Sequence, residues 1–101
     1  MAKEQAHDLL DEVIHQRTRL AIMAGLSGVE ALDFNDLKAE LTLTDGNLST
    51  HLSALERAGY VRIEKGFAGK RPRTTVAQTA KGRKAMERYI LLLQGILSKA
   101  K

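Results

Sequence analysis

Short polar side chains and cations are concentrated in one stretch of this 101-residue sequence, from Thr44 to Val76. Its first half predicts a helix with a small, polar outer face, and its second half predicts a hairpin with a basic loop. Hydroxyl and amide groups can hydrogen-bond to base edges or phosphates, and cations neutralise phosphates. The chemistry of this stretch therefore suits double-stranded DNA, with the helix in the major groove and the loop on the phosphates.

The helix is predicted to run from about residue 44 to residue 58. Leu48, Leu52 and Leu55 are spaced i, i+4 and i+7, so they define its buried face. Gly59 follows at the position where a left-handed residue would end the helix. The outer face has no Arg at its front, the commonest guanine reader, so we expect shape readout to supply part of the specificity. The candidate DNA contacts on this face are Thr44, Asn47, Ser49, Thr50, Ser53 and Arg57.

The basic loop follows the helix. Alternation of side chains predicts a strand from Tyr60 to Lys65 and a second strand from Thr74 to Ala77. Between them lies GFAGKRPR, which we expect to form a loop too long for a tight hairpin. Its glycines allow the backbone to turn sharply, and its cations can straddle the phosphates or enter the minor groove. The candidate DNA contacts of this basic wing are Lys65, Lys70, Arg71 and Arg73.

Further helices are predicted to position these two parts. A short helix capped by Asp33, a brief turn and the helix capped by Thr44 make a helix-turn-helix. A last helix, capped by Thr79, follows the hairpin. The predicted fold class is mainly α with a small β-hairpin, a winged helix-turn-helix. The sequence predicts one domain over residues 1–101, with flanking helices at 1–14 and 80–97, an apolar helix ending near Leu26 and a first helix from about Lys3 to Ile14.

Charge is distributed unevenly along the chain, whose net charge is +4. Residues 1–61 hold five basic and ten acidic residues, whereas residues 62–101 hold eleven basic and two acidic residues. Such segregation is typical of a protein whose basic side meets a polyanion. The absence of Cys excludes disulfides and thiolate metal sites, and no long apolar segment is present, so we expect a cytoplasmic protein with no membrane partner.

A family pattern is carried by Ile14-His15, Arg19-Leu20, the block from Asp33 to Thr75 and TAKGRKAMERY at residues 79–89. In these residues the chain resembles small archaeal and bacterial winged-helix regulators of the MarR/ArsR-like group. The resemblance covers roughly residues 14–97.

This resemblance implies a homodimer that binds a pseudo-palindromic operator. It also implies that the helix from Thr44 reads the major groove and that the loop around Lys70 and Arg71 is the wing. Two departures stand out. Gln78 occupies a position where such proteins commonly carry an apolar residue, which leaves the packing of the last strand open. The Cys motifs of thiolate metal sensors are absent, so that mode of sensing does not carry over.

The terminal helices are predicted to carry more apolar surface than a domain of this size buries alone. Symmetric dimers are common, and in such a dimer two reading helices would lie about 34–36 Å apart, one turn of DNA. The alternative is that both helices only close the core of the monomer. The candidate dimer contacts are Leu9, Leu10, Val13, Tyr89, Ile90, Leu93 and Leu97.

Histidines and carboxylates near the start of the chain invite a metal hypothesis. Their i, i+4 spacings place potential ligands together, but acidic residues are also favoured at helix starts and the ligand set is incomplete. We therefore predict no metal and no cofactor. His51, beside the reading face, either touches a phosphate or fills space, and the second is favoured. The residues of the metal hypothesis are His7, Asp8, Asp11, Glu12 and His15.

The sequence contains no phosphate loop, dinucleotide fingerprint or hydrolase motif, so an enzyme is not expected. It predicts a sequence-specific DNA-binding transcriptional regulator, most simply a homodimeric repressor. The competing hypothesis is a winged-helix adaptor that binds proteins without reading bases. The sequence contains no pattern that identifies the operator, the regulated genes or a small-molecule effector.

Overall fold

A computed structural model describes residues 5–100, except for the side chain of Ala6. Within this range, no helix is long and apolar enough to cross a membrane. The elements in chain order are a 3-10 helix (Ala6–Leu9), α1 (Arg17–Leu26), β1 (Leu32–Asp33), α2 (Phe34–Leu41), α3 (Asp45–Arg57), β2 (Val61–Ala68), β3 (Arg71–Gln78) and α4 (Ala80–Lys99).

The two helices of the helix-turn-helix begin at the caps that the sequence predicts. Asp33 Oδ1 accepts a hydrogen bond from the Asn35 amide at 2.8 Å and one from the Asp36 amide at 3.4 Å. Thr44 Oγ1 accepts one from the Asn47 amide at 3.1 Å. Each cap satisfies amides that have no partner inside the helix. The predicted starts of α2 and α3 are therefore confirmed.

Two residues with a left-handed backbone conformation flank α3. Gly59 has φ 81°, and its amide donates to Glu56 O at 2.9 Å, so it ends α3 as predicted. Thr42, in the turn between α2 and α3, has φ 53° and ψ 52°. A β-branched residue is strained in this conformation, and nothing in the sequence marked Thr42 for it. The turn is thus held at the cost of local backbone strain.

The sheet contains three antiparallel strands in the order β1-β3-β2. β2 and β3 pair without interruption from Val61↔Gln78 to Ala68↔Arg71, which leaves two turn residues, Gly69 and Lys70. Gly69 has φ 65° at the first turn position, as in a type II′ turn, whose twist matches the flanking strands. The expectation of a long loop at GFAGKRPR is therefore wrong, because the strands continue almost to the tip. β1, which pairs with β3, was not predicted.

The N-terminal segment differs from the predicted helix over residues 1–14. Only a 3-10 helix over Ala6–Leu9 forms, and Leu10 has an extended backbone with ψ 134°. Asp11 Oδ1 accepts hydrogen bonds from the amides of Val13, at 2.9 Å, and Ile14, at 3.2 Å. Asp side chains compete with helix formation in this way, so the apolar stripe is interrupted. The part of that prediction over residues 1–4 lies outside the described residues.

The core lies between the helix-turn-helix, the sheet and the start of α4. Strand β3 is joined to α1 through Gln78, whose Nε2 donates to Met23 O at 3.2 Å and lies 3.4 Å from Ser27 Oγ. Gln78 is therefore accommodated through hydrogen bonds to α1 and Ser27, at a position where similar proteins commonly carry an apolar residue. The buried cluster consists of Leu10, Ile14, Ile22, Met23, Leu26, Leu37, Leu48, Leu52, Leu55, Val61, Val76, Met86 and Tyr89.

The first turn of α4 packs closely on the chain that leaves α3. Thr79 caps α4, as predicted, by accepting from the Gly82 amide at 2.9 Å, and its own hydroxyl donates to Gly59 O at 2.5 Å. A Cβ at Gly82 would lie 2.1 Å from Tyr60 O, so only glycine fits there. The fold is therefore the predicted winged helix-turn-helix, with the first turn of α4 packed against the residues that follow α3.

Candidate nucleic-acid interface

The outer face of α3 is open to solvent. Leu48, Leu52 and Leu55 are almost fully buried, as their spacing predicts. Because these three leucines hold one face of α3 against the core, the opposite face is exposed to solvent. The exposed residues include every predicted contact of this helix, namely Thr44, Asn47, Ser49, Thr50, Ser53 and Arg57.

Two local contacts modify the first turns of that face. Asp45 at the start of α3 is paired with Lys38 of α2, with 2.7 Å between Oδ1 and Nζ. Its carboxylate therefore does not present an unpaired negative charge where a phosphate would approach the helix. The hydroxyl of Thr50 donates to Gly46 O at 2.9 Å. Thr50 is thus left with its acceptor lone pairs and its methyl group, which suits contact with a thymine methyl.

The wing carries three of the predicted cations without a protein partner. Lys65 lies on β2, Lys70 in the turn and Arg71 at the start of β3, and all three are exposed. None of them forms an ion pair with any residue between 5 and 100. Unpaired cations on a projecting hairpin can neutralise phosphates without first breaking an internal contact.

The fourth predicted cation of the wing is held by the protein. Arg73 Nε donates to Asp33 Oδ2 at 3.1 Å. The pKa of Asp33 is lowered chiefly by the hydrogen bond from the Asn35 amide, with a further contribution from Arg73. Asp33 therefore stays ionised near neutral pH, caps α2 and pairs with the wing. Arg73 fastens the outer half of the wing to the helix-turn-helix and is less free than Lys70 or Arg71 to follow a phosphate.

A cleft of about 250 Å³ separates α3 from the wing. It is shallow and largely apolar at its floor, with hydroxyls and one ammonium at its rim. The cleft brings predicted contacts from the helix and the wing onto one surface. Its lining residues are Phe34, Ser49, Leu52, Ser53, Ile63, Lys65 and Thr74.

Sequence reasoning missed Phe67. Its side chain is 74% exposed, which is the largest exposed fraction of any large apolar residue between residues 5 and 100. Phe67 lies directly opposite Pro72 in the hairpin. The alternation of Val61, Ile63 and Phe67 was a signal that β2 continues, but assigning residues 66–73 to a loop concealed it.

His51 faces inward from α3. Its Nδ1 is buried and accepts or donates no hydrogen bond among the described residues. Burial lowers the pKa of His51, and the charge of Arg19 lowers it further. A neutral, inward-facing imidazole agrees with the expectation that His51 fills space rather than contacts a phosphate.

The predicted dimer contacts are divided by the structure into two groups. Leu10 and Tyr89 are buried in the chain's own core, at 9% and 2% exposure, so they have little surface to offer a partner. Val13 and Leu93 are half-buried. Leu9, Ile90 and Leu97 are exposed, and Leu91, which was not among the predicted contacts, is more exposed than any of them.

Four of the five residues of the metal hypothesis take part in other contacts. Asp8 pairs with His7 at 3.3 Å, and His15 Nδ1 lies 2.7 Å from the hydroxyl of Tyr89. Asp11 accepts a short hydrogen bond from the hydroxyl of Tyr60. Burial and this carboxylate raise the pKa of Tyr60 to about 12. Between residues 5 and 100, no group of three potential ligands is close enough to hold a metal ion.

The helix-turn-helix and the wing agree with a known family. The family model of a winged helix DNA-binding domain matches residues 18–97. The chain belongs to this family. The matched range contains α1, the helix-turn-helix, the wing and most of α4, so the winged helix protein is matched over all the elements described above except the 3-10 helix.

Individual proteins also resemble this chain in sequence and in structure. The winged helix protein is similar to an uncharacterised protein of Methanocaldococcus jannaschii, with 42% identity over 79 residues that cover 78% of this chain and 86% of that one. It is also similar in structure to a transcriptional regulator homologue of Pyrococcus horikoshii OT3. That comparison has a TM-score of 0.85, 32% identity and 90% coverage of each chain.

A third solved structure is that of the M. tuberculosis transcriptional regulator MosR in complex with DNA. It has a TM-score of 0.69 and 23% identity, and the match covers 87% of this chain and 62% of that one, which shows a shared fold. Regulators of the MarR and ArsR families also share the fold. The winged helix protein therefore belongs to a family of winged-helix DNA-binding transcriptional regulators, and it shares its fold with regulators of the MarR and ArsR families. Solved structures that it resembles are those of transcriptional regulators rather than enzymes, as predicted.

Proposed function

We propose that the winged helix protein is a homodimeric transcriptional repressor that binds a pseudo-palindromic operator in double-stranded DNA. The observation that carries this proposal is the pairing of an exposed, small-residue face on α3 with unpaired cations on the adjoining wing. α3 would lie in the major groove, and the wing would reach the neighbouring phosphates and minor groove. A repressor of this kind occludes a promoter in the cytoplasm, and no cofactor is required for that.

Specific contacts would come from three side chains of α3. Asn47 can form a bidentate pair with adenine, and Ser49 can bond either to bases or to phosphates. Thr50 would offer its methyl group to thymine, because its hydroxyl proton is donated to the helix backbone. MosR, which shares the fold, was solved with DNA bound, and this supports DNA as the partner.

The dimer would be built from exposed apolar residues on α4. Ile90 and Leu97 are 42% and 55% exposed, and Leu91 is 69% exposed. These side chains lie in the second half of a 20-residue helix, in a molecule that extends 58 Å along its longest axis. Packing two such helices together would remove this apolar surface from water and set two copies of α3 about one DNA turn apart.

Selection of bound sites from a pool of random duplex DNA tests the proposal most directly. We expect an enriched, two-fold symmetric sequence, and an affinity for it that falls steeply between about 50 and 200 mM salt. Enrichment of no sequence, together with no salt-dependent binding to any duplex, would contradict the proposal. That result would favour the adaptor hypothesis, in which the same surface binds a protein.

A further inference from the structure

Phe67 is an apolar side chain at the outer end of an otherwise cationic hairpin. It is 74% exposed, and its cross-strand neighbour is Pro72, which is also exposed. No element between residues 5 and 100 covers this pair. An exposed aromatic ring contributes little to the stability of the chain, because little of its apolar surface is removed from water.

The register of the hairpin gives the direction of the ring. Side chains alternate between the faces of a strand, so Ile63, Lys65 and Phe67 share one face of β2. Ile63 and Lys65 line the cleft against α3. Phe67 is the next residue in this row, beyond the cleft. By this alternation its Cα–Cβ bond is on the face of the wing that α3 also faces, which is the proposed DNA side, and the residue also borders a hollow beside Glu64, Gly66 and Arg73.

The residues on either side of Phe67 are small. Its neighbours on β2 are Gly66 and Ala68, and the turn begins with Gly69. A Cβ at Gly66 or Gly69 would meet no atom within 4 Å, so these two residues leave open space near the ring. The edge of a single aromatic ring can enter the minor groove, which is only about 6 Å wide.

The positive charges of the wing indicate which kind of partner this surface would bind. Lys65, Lys70 and Arg71 belong to the same hairpin as Phe67 and are unpaired among the described residues. A ring on a hairpin that carries free cations is complementary to DNA, in which apolar sugars and base edges lie between two lines of phosphates. The geometry points to Phe67 as a wedge that the wing inserts into the DNA minor groove, partly unstacking a base step.

This inference rests on the proposed function and adds a residue-specific mode of reading. Pyrimidine–purine steps such as TA are the easiest to unstack, whereas the amino group of guanine obstructs the minor groove. The wing would therefore favour TA steps without any hydrogen bond to a base. The absence of a forward Arg on α3 makes such indirect readout more important.

Binding to two alternating duplexes tests the wedge. One is alternating dA-dT with 2-aminopurine replacing a small fraction of the adenines, and the other is alternating dG-dC. We expect the wild-type protein to bind the dA-dT duplex more tightly and to raise 2-aminopurine fluorescence, since unstacking relieves quenching. Phe67→Ala should weaken binding to dA-dT by about tenfold, abolish the fluorescence rise and leave the salt slope unchanged, because no phosphate contact is lost.

Two variants serve as controls. Phe67→Leu keeps an apolar wedge and should retain most of the affinity and fluorescence rise, while Lys70→Ala should flatten the salt slope. Thermal unfolding of Phe67→Ala should match the wild type because the ring is exposed. Equal binding of the wild type and Phe67→Ala, or no fluorescence rise with the wild type, overturns the wedge and points to a protein partner for Phe67. Failure of the wild type to bind either duplex would instead contradict the proposed function.

Discussion

Arg73 on the wing donates a hydrogen bond from Nε to Oδ2 of Asp33, 3.1 Å away, and Asp33 is the residue that caps α2. One carboxylate thus serves two elements at once, the helix-turn-helix through its Oδ1 and the wing through its Oδ2. This contact ties the outer half of the hairpin, where Arg73 pairs with Gly66, to the helix-turn-helix, while Lys70 and Arg71 at the tip are left unpaired among the described residues. The cations of the wing are therefore expected to differ in their contribution to DNA binding.

A matched pair of arginine variants tests this difference. Arg71→Ala should weaken binding to every duplex and reduce the slope of log affinity against log salt by about one, since one phosphate contact is lost. Arg73→Ala should reduce the slope less, because Arg73 already neutralises Asp33. Fluorescence anisotropy at several salt concentrations measures both slopes. Equal slopes for the two variants would show that Arg73 leaves Asp33 when DNA binds.

Acid should remove the stabilising effect of Asp33. Its pKa in the folded chain is lowered from 3.8, first by the amide of Asn35 and also by Arg73, so the ionised form favours folding. This stabilisation is fully present above about pH 3.8 and is lost as the pH falls through the lower folded pKa. Asp33→Asn keeps a capping side chain but has no charge. The excess stability of the wild type over Asp33→Asn, measured by urea unfolding, should therefore stay constant at neutral pH and shrink as the pH falls below about 3.8.

Gly46→Ala should stabilise the fold and weaken its binding to DNA. A Cβ at Gly46 meets no atom within 4 Å, and alanine favours a helix over glycine by up to about 1 kcal/mol, so urea unfolding should show a stability gain. The added methyl group would stand on the outer face of α3, where the backbone is proposed to approach DNA. The affinity for the selected operator should fall.

Gly25→Ala is the matched control for that variant. Gly25 lies in α1, away from the proposed interface, and its Cβ would make an ordinary contact with Leu32 Cδ1 at 4.0 Å. We expect a similar gain in stability with unchanged DNA affinity. If both variants bind like the wild type, the start of α3 does not approach the DNA backbone closely.

Gly82→Ala should be strongly destabilising. Its Cβ would lie 2.1 Å from Tyr60 O, and backbone atoms on both sides cannot move without opening the joint between α3 and α4. Overpacking of this kind costs about 1–3 kcal/mol. Urea unfolding measures the loss, and a variant as stable as the wild type would mean that α4 does not pack this closely on Tyr60.

Leu97→Glu should dissociate the proposed dimer. Leu97 is 55% exposed in the chain, so a charge there costs little in the monomer but would be buried in an interface between two α4 helices. Sedimentation at micromolar concentration should give a dimer for the wild type and a monomer for this variant. Ser98→Glu adds the same charge without removing an apolar side chain, and it should remain dimeric. A wild-type monomer would remove the dimer from the proposal.

The winged helix-turn-helix was predictable because its local signals are strong. Asp33, Thr44 and Thr79 each carry a short acceptor just before an apolar helical pattern, and each caps a helix in the structure. The spacing of Leu48 and Leu52 assigned the buried face of α3 and so its outer face. These features depend on residues three or four positions apart, which a single sequence displays directly.

Tertiary contacts decided the rest. The length of the wing depends on pairing across two strands, so Phe67 was assigned to a loop although it pairs with Pro72. The N-terminal helix was replaced by a 3-10 turn because Asp11 bonds to nearby amides and to Tyr60, 49 residues away.

The sequence by itself determined where α2, α3 and α4 begin and which face of α3 is open. Only the tertiary structure decided which wing cation is tied to the protein, which apolar residues of the flanking segments are already buried, and where Phe67 projects. Arg73 and Asp33 are 40 residues apart, and Leu10 and Tyr89 meet in one core from opposite ends of the chain. Contacts over such separations depend on the packing of whole elements, which local patterns of hydrophobicity and charge do not encode.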